Sequence, residues 1–597
     1  MASPINVDSV SDMLILPYPD SGDIYYVTDP ATEGMFLFTA GDTTLGNGGT
    51  IFQATGMVSG TYRRIFSGPV NVRWFGAIPD AVITNLTPPY ITVTSYVTDN
   101  RAAIQAAITF MLGQPGLTGG TLYFPAGNYY IGGTSILVNL LGPSYKPYAL
   151  SLVGEIANNR ITWEGGTGGN DYGGTIIVKD TVGDMFKVNL DASDVSVLPN
   201  TSQWINFSVS NMAFMAASSN DDLPAPPSLI NAFKMFRTRC TMQNLSGNLL
   251  NYLVFQPATD AASNSNYCDQ SIYKNIYLSN PMVGGLYLFG ADASLLENVN
   301  CEQPFPQLTF NNVISIFSSD AVAIRNMVSW MPDPSSDPVH DPTQTVTATT
   351  NSTLILIKNS TNTIISSIHM EHLLNVYAGI TIDSSQSTRC EGIHARFHGS
   401  DTVKLISASG VVIDGMDVAK TNIATYYDID FADTNSLNVV WSNIHLQESP
   451  YYTTPYLNRI ISINSIVPAP PLLPPATPPY GQSVYYDKFA VAQNYADCCA
   501  LPGQVIRLPT PDPTQITSNL TVILPNATNF PGSRIVIWNQ TATSSSLTWQ
   551  FRVTGTGIPS VVKNSAGSDV STIPQRTVTV LIAYGTANWL LESQSYI

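Results

Sequence analysis

The stretch Leu286-Tyr-Leu-Phe-Gly-Ala-Asp-Ala-Ser-Leu-Leu-Glu-Asn-Val-Asn-Cys-Glu302 decides the reading of this chain. It carries two signals. Leu286 to Phe289 is an apolar strand that ends in a turn. About ten residues on, Asn298-Val299 puts a small polar residue before an aliphatic one, and alternation follows. The second signal recurs at Asn211-Met212, Asn244-Leu245, Asn275-Ile276, Asn326-Met327, Ser367-Ile368, Gly392-Ile393, Gly415-Met416 and Asn443-Ile444. With Asn298 in its place, the steps are 33, 31, 23, 28, 41, 25, 23 and 28 residues. The first signal recurs in similar phase at Ile314 to Phe317, Leu354 to Ile357, Ile380 to Asp383 and Val403 to Ile406. Two units in phase at such a period mark a solenoid.

The physics of a solenoid fixes which side chains go where. One coil cannot bury its apolar face alone, so stacked coils share a continuous core. The aliphatic residue points in, the next out, the next in, the next out. The recurrent Asn is a turn residue that tolerates tight backbone and can hydrogen-bond its neighbours up the stack. At least nine coils are expected, from about 205 to 450.

Composition agrees. The chain has 597 residues, and 11% of them are charged, against a typical share of about 25%. Hydrophobic residues are 44%, so the missing charge is replaced by Ser, Thr, Asn and Gly. That excludes long charged helices and coiled coils, and it argues against disorder. The net charge is −17, from 25 Lys and Arg against 42 Asp and Glu, with no basic cluster. Nucleic acid is excluded as a partner. No apolar run reaches the ~18 residues of a membrane span, so no membrane insertion is expected. The N-terminus lacks the basic and apolar regions of a secretion signal. Six cysteines are too few for a disulfide framework and read as reduced, mostly buried thiols.

Outside the repeat, residues 1–70 read as a small cap of short strands, among them Ile24 to Val27, Met35 to Phe38 and Thr50 to Gln53. One helix is predicted at about 99–112, with a Thr/Asp start and Ile104, Ile108 and Met111 on one face. It is expected to lid something hydrophobic. Residues 466–480 are a proline-rich linker, extended and stiff. Strands at 505–508, 520–524, 534–538 and 578–583 recur at sandwich-like intervals, which predicts a C-terminal β-sandwich over 481–597.

Three motifs in succession add a resemblance. Val72-Arg-Trp-Phe-Gly-Ala77, then Asn100-Arg-Ala-Ala-Ile-Gln-Ala-Ala-Ile108, then Gly119-Gly-Thr-Leu-Tyr-Phe-Pro-Ala-Gly-Asn-Tyr-Tyr-Ile131 resemble the opening of the pectate-lyase-like, right-handed β-helix superfamily. The preamble ending Arg63-Arg-Ile-Phe-Ser-Gly-Pro-Val-Asn-Val-Arg-Trp-Phe-Gly-Ala77 resembles bacteriophage tailspike and capsule-depolymerase proteins. The likeness is specific over about 60–135 and only pattern-level to about 465. In place of the family's usual Gly-Asp-Gly and acidic loop, this chain has Ile78-Pro-Asp80 and an insertion from Ala81 to Val97. The fold expected is all-β: a right-handed parallel β-helix over 71–465 with a short N-terminal cap, a lid helix and a C-terminal β-sandwich for trimerisation or sugar binding. The resemblance implies a homotrimeric protein of the virion tail, acting at the host surface on a bacterial polysaccharide and contacting other tail proteins through its N-terminus. It implies no cofactor.

The coil alignment also selects a candidate site. The first outward column reads Ala213, Ser246, Tyr277, Asn300, Val328, His369, His394, Asp417, His445. The second reads Met215, Asn248, Ser279, Glu302, Trp330, Glu371, Arg396, Ala419, Gln447. Early coils carry bland residues. The coils from 298 to 447 gather acids, histidines and an arginine, in a chain with six histidines in all. Glu302, Glu371, Asp417 and His369 are the catalytic candidates; Trp330, His394, Arg396 and Tyr277 are the substrate-binding ones. Glu302 and Glu371 are two coils apart, about 9–10 Å between α-carbons, which suits an inverting glycosidase, whose carboxyls stand ~6.5–9.5 Å apart. Trp330 between them would stack on a sugar ring. An alternative is β-elimination from a uronic-acid polymer, with His369, His394 or Tyr277 as base and Arg396 neutralising the carboxylate. The bland reading makes Glu302 and Glu371 solvated outer residues and His445 structural. A non-enzymatic receptor-binding or decoration protein of the same fold also fits. His369 and His372 invite a metal reading, but on a strand they point to opposite faces, and no metal is expected.

Overall fold

The computed structural model describes residues 3–84, 92–140, 149–155, 174–189, 206–217, 230–258, 268–302, 312–330, 353–371, 378–397, 401–420 and 429–463, with short gaps, and the strands beyond 490. Most of the described strands pair in parallel as the coils of a β-helix, and the chain divides into two compact units. One holds residues 1–322 and 327–349, the other 323–326 and 350–597.

In the first unit, residues 3–65 form a five-stranded sheet ordered Ile5–Val7, Ile24–Val27, Gly34–Ala40, Gly60–Ile65, Ile51–Gln53. Met13, Tyr25, Val27, Phe36, Phe38 and Tyr62 fill its core. A short helix at Val10–Leu14 was not predicted. It starts on Ser9, whose hydroxyl accepts from the Asp12 amide. The predicted helix runs Arg101–Gly113, with Ile104, Ala107, Ile108 and Met111 buried. The Asp99 carboxylate accepts from the Arg101 amide at 3.0 Å, which is the expected capping contact. The helix packs on the Gly119–Phe124 strand, where a β-carbon on Gly120 would meet the Met111 methyl.

From there parallel strands alternate between two sheets. One sheet of the first unit runs Gly119–Phe124, Ala149–Gly154, Asn206–Ala216, Arg239–Asn248, Ile272–Ser279, Leu295–Glu302. The other runs Ile136–Val138, Gly183–Val188, Ile230–Met235, Tyr252–Phe255, Gly284–Phe289, Asn312–Phe317. The second unit continues the pattern with Ile364–Glu371, Arg389–Phe397, Val412–Lys420 and Val439–Ser442 in one sheet. Thr353–Lys358, Ala378–Asp383, Asp401–Ile406 and Ile429–Phe431 form the other.

The recurrent small residue has a clear physical reason. Asn211, Asn244, Asn275, Asn298, Asn326 and Ser367 all have φ between 54° and 60°, and Gly392 and Gly415 have φ of 61° and 67°. The left-handed conformation costs most L-residues about 1–2 kcal/mol, and Asn and Gly visit it most readily. The asparagines also bond up the stack. Asn244 donates to Asn211 at 2.9 Å, Asn275 to Asn244 at 2.8 Å, and Asn298 to Asn275 at 2.9 Å. The aliphatic partners Leu245, Ile276, Val299, Ile368, Ile393 and Met416 are buried. Several coils have a second left-handed pair three residues apart, seen at Asn359 and Asn362, Ser384 and Ser387, and Ser407 and Gly410. Spacing alone did not separate this pair from the strand before it.

One expectation changes. Met215, Asn248 and Ser279 are not outward but buried. Asn248 ends its strand at a tight corner, since Leu249 directly after it has a φ of 53°, and Met215 and Ser279 stand in register on either side of it. Beyond residue 490 there are two sheets, one of six and one of four strands, but the pairing is mixed. Successive strands alternate sheets, and Ala490–Val491, Val505–Leu508 and Arg534–Asn539 pair in parallel, as do Asp497–Cys499, Leu520–Leu524 and Trp549–Val553. Only the later pairs are antiparallel. The proline-rich segment 466–480 lies outside the described residues.

Candidate functional site

Strand register in the second unit brings five of the sequence-predicted residues together. His369 lies opposite His394, and His394 opposite Asp417. Glu371 lies opposite Arg396. Their neighbours Ile368, Met370, Ile393, Ala395, Met416 and Val418 are buried, so alternation turns all five outward.

The side chains interact. His369 Nε2 is 2.8 Å from Glu371 Oε1, and the two are 36% and 31% exposed. The His369 and His394 rings stack, with centroids 5.0 Å apart and planes at 15°. His394 Nδ1 is 3.3 Å from Asp417 Oδ2. The result is a run of carboxylate, imidazole, imidazole, carboxylate across three coils. The exposed Arg396 guanidinium stands in the coil next to Glu371. Just upstream, Arg389 pairs with Glu391 on the same strand. Such an arrangement can hold and move protons between carboxyl and imidazole groups, and it offers a fixed cation to an acidic ligand.

The other candidates fall in the first unit. Tyr277 is partly exposed, opposite Ser246 and Asn300. Glu302 ends its strand opposite Ser279, and Trp330 ends the Ala323–Trp330 strand. His372, His398 and His445 lie outside the described residues. Among the described residues no group of His, Cys, Asp and Glu is placed to hold a metal ion. Cys240, Cys268, Cys301 and Cys390 are buried.

Two features escaped the column reading because it followed one sheet only. On the other sheet of the second unit, Lys404 Nζ is 3.4 Å from Asp430 Oδ2, and both side chains are buried. On the other sheet of the first unit, several aromatic rings cluster. Outward parity applied to Tyr287 would have found these.

Fold and site together define a parallel β-helix with an ionisable outer face. No family model matches the sequence, and no curated protein does. Among solved structures, the chain is similar to the tailspike protein of Acinetobacter baumannii phage AM24, with 12% identity and a TM-score of 0.45 over 76% of this chain and 64% of that one. It is also similar to the gp42 tailspike of Acinetobacter phage vb_AbaP_AS12, with 10% identity and a TM-score of 0.43 over 100% of this chain and 94% of that one. A third is the A-module of the Azotobacter vinelandii mannuronan C-5 epimerase AlgE6, with 14% identity and a TM-score of 0.38 over 66% of this chain and 92% of that one. No helix among the described residues is long and apolar enough to cross a membrane.

Proposed function

We propose that this chain is a tailspike-type protein that binds and depolymerises a bacterial surface polysaccharide, with the reaction centred on Glu371, His369, His394, Asp417 and Arg396. The carrying observation is the linked run from Glu371 through two stacked imidazoles to Asp417. The opening motifs over 60–135 support the tailspike class.

Hydrolysis is the leading reading. Glu371 and Asp417 are two coils and two residues apart, about 12 Å between α-carbons by strand geometry. Side chains reaching toward each other bring the carboxyls into the ~6.5–9.5 Å range of an inverting pair. The His369 Nε2 contact orients the Glu371 carboxyl as the group that activates a water. Asp417 then serves as acid toward the leaving oxygen. The His394–Asp417 contact favours a second reading. An imidazole oriented by a carboxylate is a general base, and it would take the proton beside a uronate carboxyl neutralised by Arg396. Both readings take a polymer at the host surface, with the protein on the virion tail, as a homotrimer joined to other tail proteins through its N-terminus.

The test is incubation with capsule or lipopolysaccharide from candidate hosts. New reducing ends without unsaturated products indicate hydrolysis; ultraviolet absorbance of an unsaturated uronide indicates elimination. Binding with neither signal leaves only the non-enzymatic receptor-binding reading.

A further inference from the structure

The second sheet of the first unit carries an outward track unlike anything else among the described residues. Lys187 lies opposite Lys234, Lys234 opposite Phe255, and Phe255 opposite Tyr287. Each is partly exposed beside buried neighbours, Phe186, Phe233, Val254 and Leu286. Alternation therefore sends these four side chains out of the solenoid. Two more rings extend the aromatic end. Tyr252 stacks on Phe255, with centroids 5.2 Å apart and planes at 24°. Tyr287 lies 5.2 Å from Phe255, 5.7 Å from Tyr252 and 4.8 Å from Phe317 of the next coil.

The track is built at some cost. Like charges directly opposite on neighbouring strands are destabilising, yet this chain, with only 25 Lys and Arg, sets two of them in register. Both ammoniums lie over the Phe236 ring, 5.8 and 5.6 Å from its centroid, so one aromatic face holds two cations side by side at the head of the track, where an anion would bridge them. The rings supply a different chemistry. A pyranose presents a face of C–H groups that stacks on an aromatic ring, and the coil rise of about 4.8 Å is close to the length of one sugar along a glycan. Burial pushes the Tyr252 phenol up to about 12 and raises that of Tyr287. Both therefore stay protonated and can donate to sugar oxygens. Cationic groups beside sugar-sized aromatic faces fit a carboxylated glycan better than a neutral one or an apolar protein surface.

We infer that the Lys187–Lys234–Phe255–Tyr287 track, with Tyr252 and Phe317, is a second glycan-binding site for an anionic polysaccharide, on a different sheet from the ionisable cluster. This deepens the proposed function, on which it rests, by naming the charge class of the polymer and a noncatalytic hold on it.

The experiment uses the full chain carrying Glu371→Gln, so that binding is read without cutting. The probes are polygalacturonate as a carboxylated glycan and dextran as a neutral one. Polygalacturonate is expected to bind, and dextran at least tenfold more weakly. Phe255→Ala with Tyr287→Ala should weaken polygalacturonate binding at least tenfold. Lys187→Gln with Lys234→Gln, which keeps the aromatic packing, should flatten the dependence of binding on salt. Binding unchanged within twofold in the aromatic variant, or an unchanged salt slope in the lysine variant, overturns the inference. So does a lower oligomeric state of the aromatic variant in sedimentation velocity, which would make this face a subunit contact. If the unmodified protein binds polygalacturonate through the track yet cuts no glycan, the enzymatic reading falls and this one stands.

Discussion

In the first unit the turn before each inward aliphatic is Asn211, Asn244, Asn275 and Asn298; in the second it is Asn326 and then Ser367, Gly392 and Gly415. Backbone geometry is the same in both, with φ near 60°. The asparagines pair side chain to side chain up the stack, which glycine cannot do. Glycine relieves the steric penalty but makes no ladder and leaves more entropy to lose on folding. The outer faces differ in parallel. Next to the asparagine ladder the first outward column reads Ala213, Ser246, Tyr277 and Asn300. Next to Ser367, Gly392 and Gly415 it reads His369, His394 and Asp417. The stretch with the plainer turn carries the ionisable face. One scaffold thus separates reinforcement of its turns from the chemistry on its surface.

The largest effect should come from the ionisable face. Glu371→Gln is expected to lower glycan cutting by about 10²–10⁴-fold, the range for a lost general acid or base, while binding persists. Asp417→Asn should do the same for hydrolysis. Glu302→Gln is the matching change in the first unit, where column alignment also places a catalytic carboxylate. Full activity there would confine the chemistry to the second unit.

Next come the turns. Asn275→Ala forces alanine into the left-handed region and breaks two ladder contacts. It should cost about 3–4 kcal/mol in denaturant unfolding, from roughly 1–2 for the conformation and about 1 for each hydrogen bond. Asn275→Gly should cost less, because it removes only the ladder. In Gly392→Ala the new methyl would meet nothing nearer than 3.8 Å, so only the conformational cost of about 1–2 kcal/mol applies. Equal losses at Asn275→Ala and Gly392→Ala would mean that the ladder contributes nothing, and the contrast between the units would collapse.

The smallest effect should be common to both units. Burial pushes the thiol of Cys240 up to about 11 and that of Cys390 up to about 12. Their contribution is complete below the unfolded thiol value of about 8.5 and is lost as pH rises toward those folded values. Native protein at pH 8 should therefore label slowly at both positions, and unfolding should become easier through pH 9–11. Fast labelling of Cys390 alone would reveal a second unit that opens more readily.

The solenoid was legible because its period is written twice, in the Asn-aliphatic units and in the apolar strands upstream. The outward column from His369 to Asp417 followed from alternation, and register preserved it. Three things were not legible. Met215, Asn248 and Ser279 have outward parity, yet they are buried in register with one another beside the corner at Leu249. The pairing direction beyond 490 cannot be read from strand spacing, since parallel winding and antiparallel return use the same alternation. The aromatic and lysine track was hidden because its members come from different kinds of residue, and only register across four coils aligns them.

The most direct measurement compares the wild-type chain with Glu371→Gln on one bound host polysaccharide, following reducing ends and uronide absorbance together. The account predicts product from the wild type and none from a variant that still binds. Equal cutting by both, or binding without cutting by either, would contradict it.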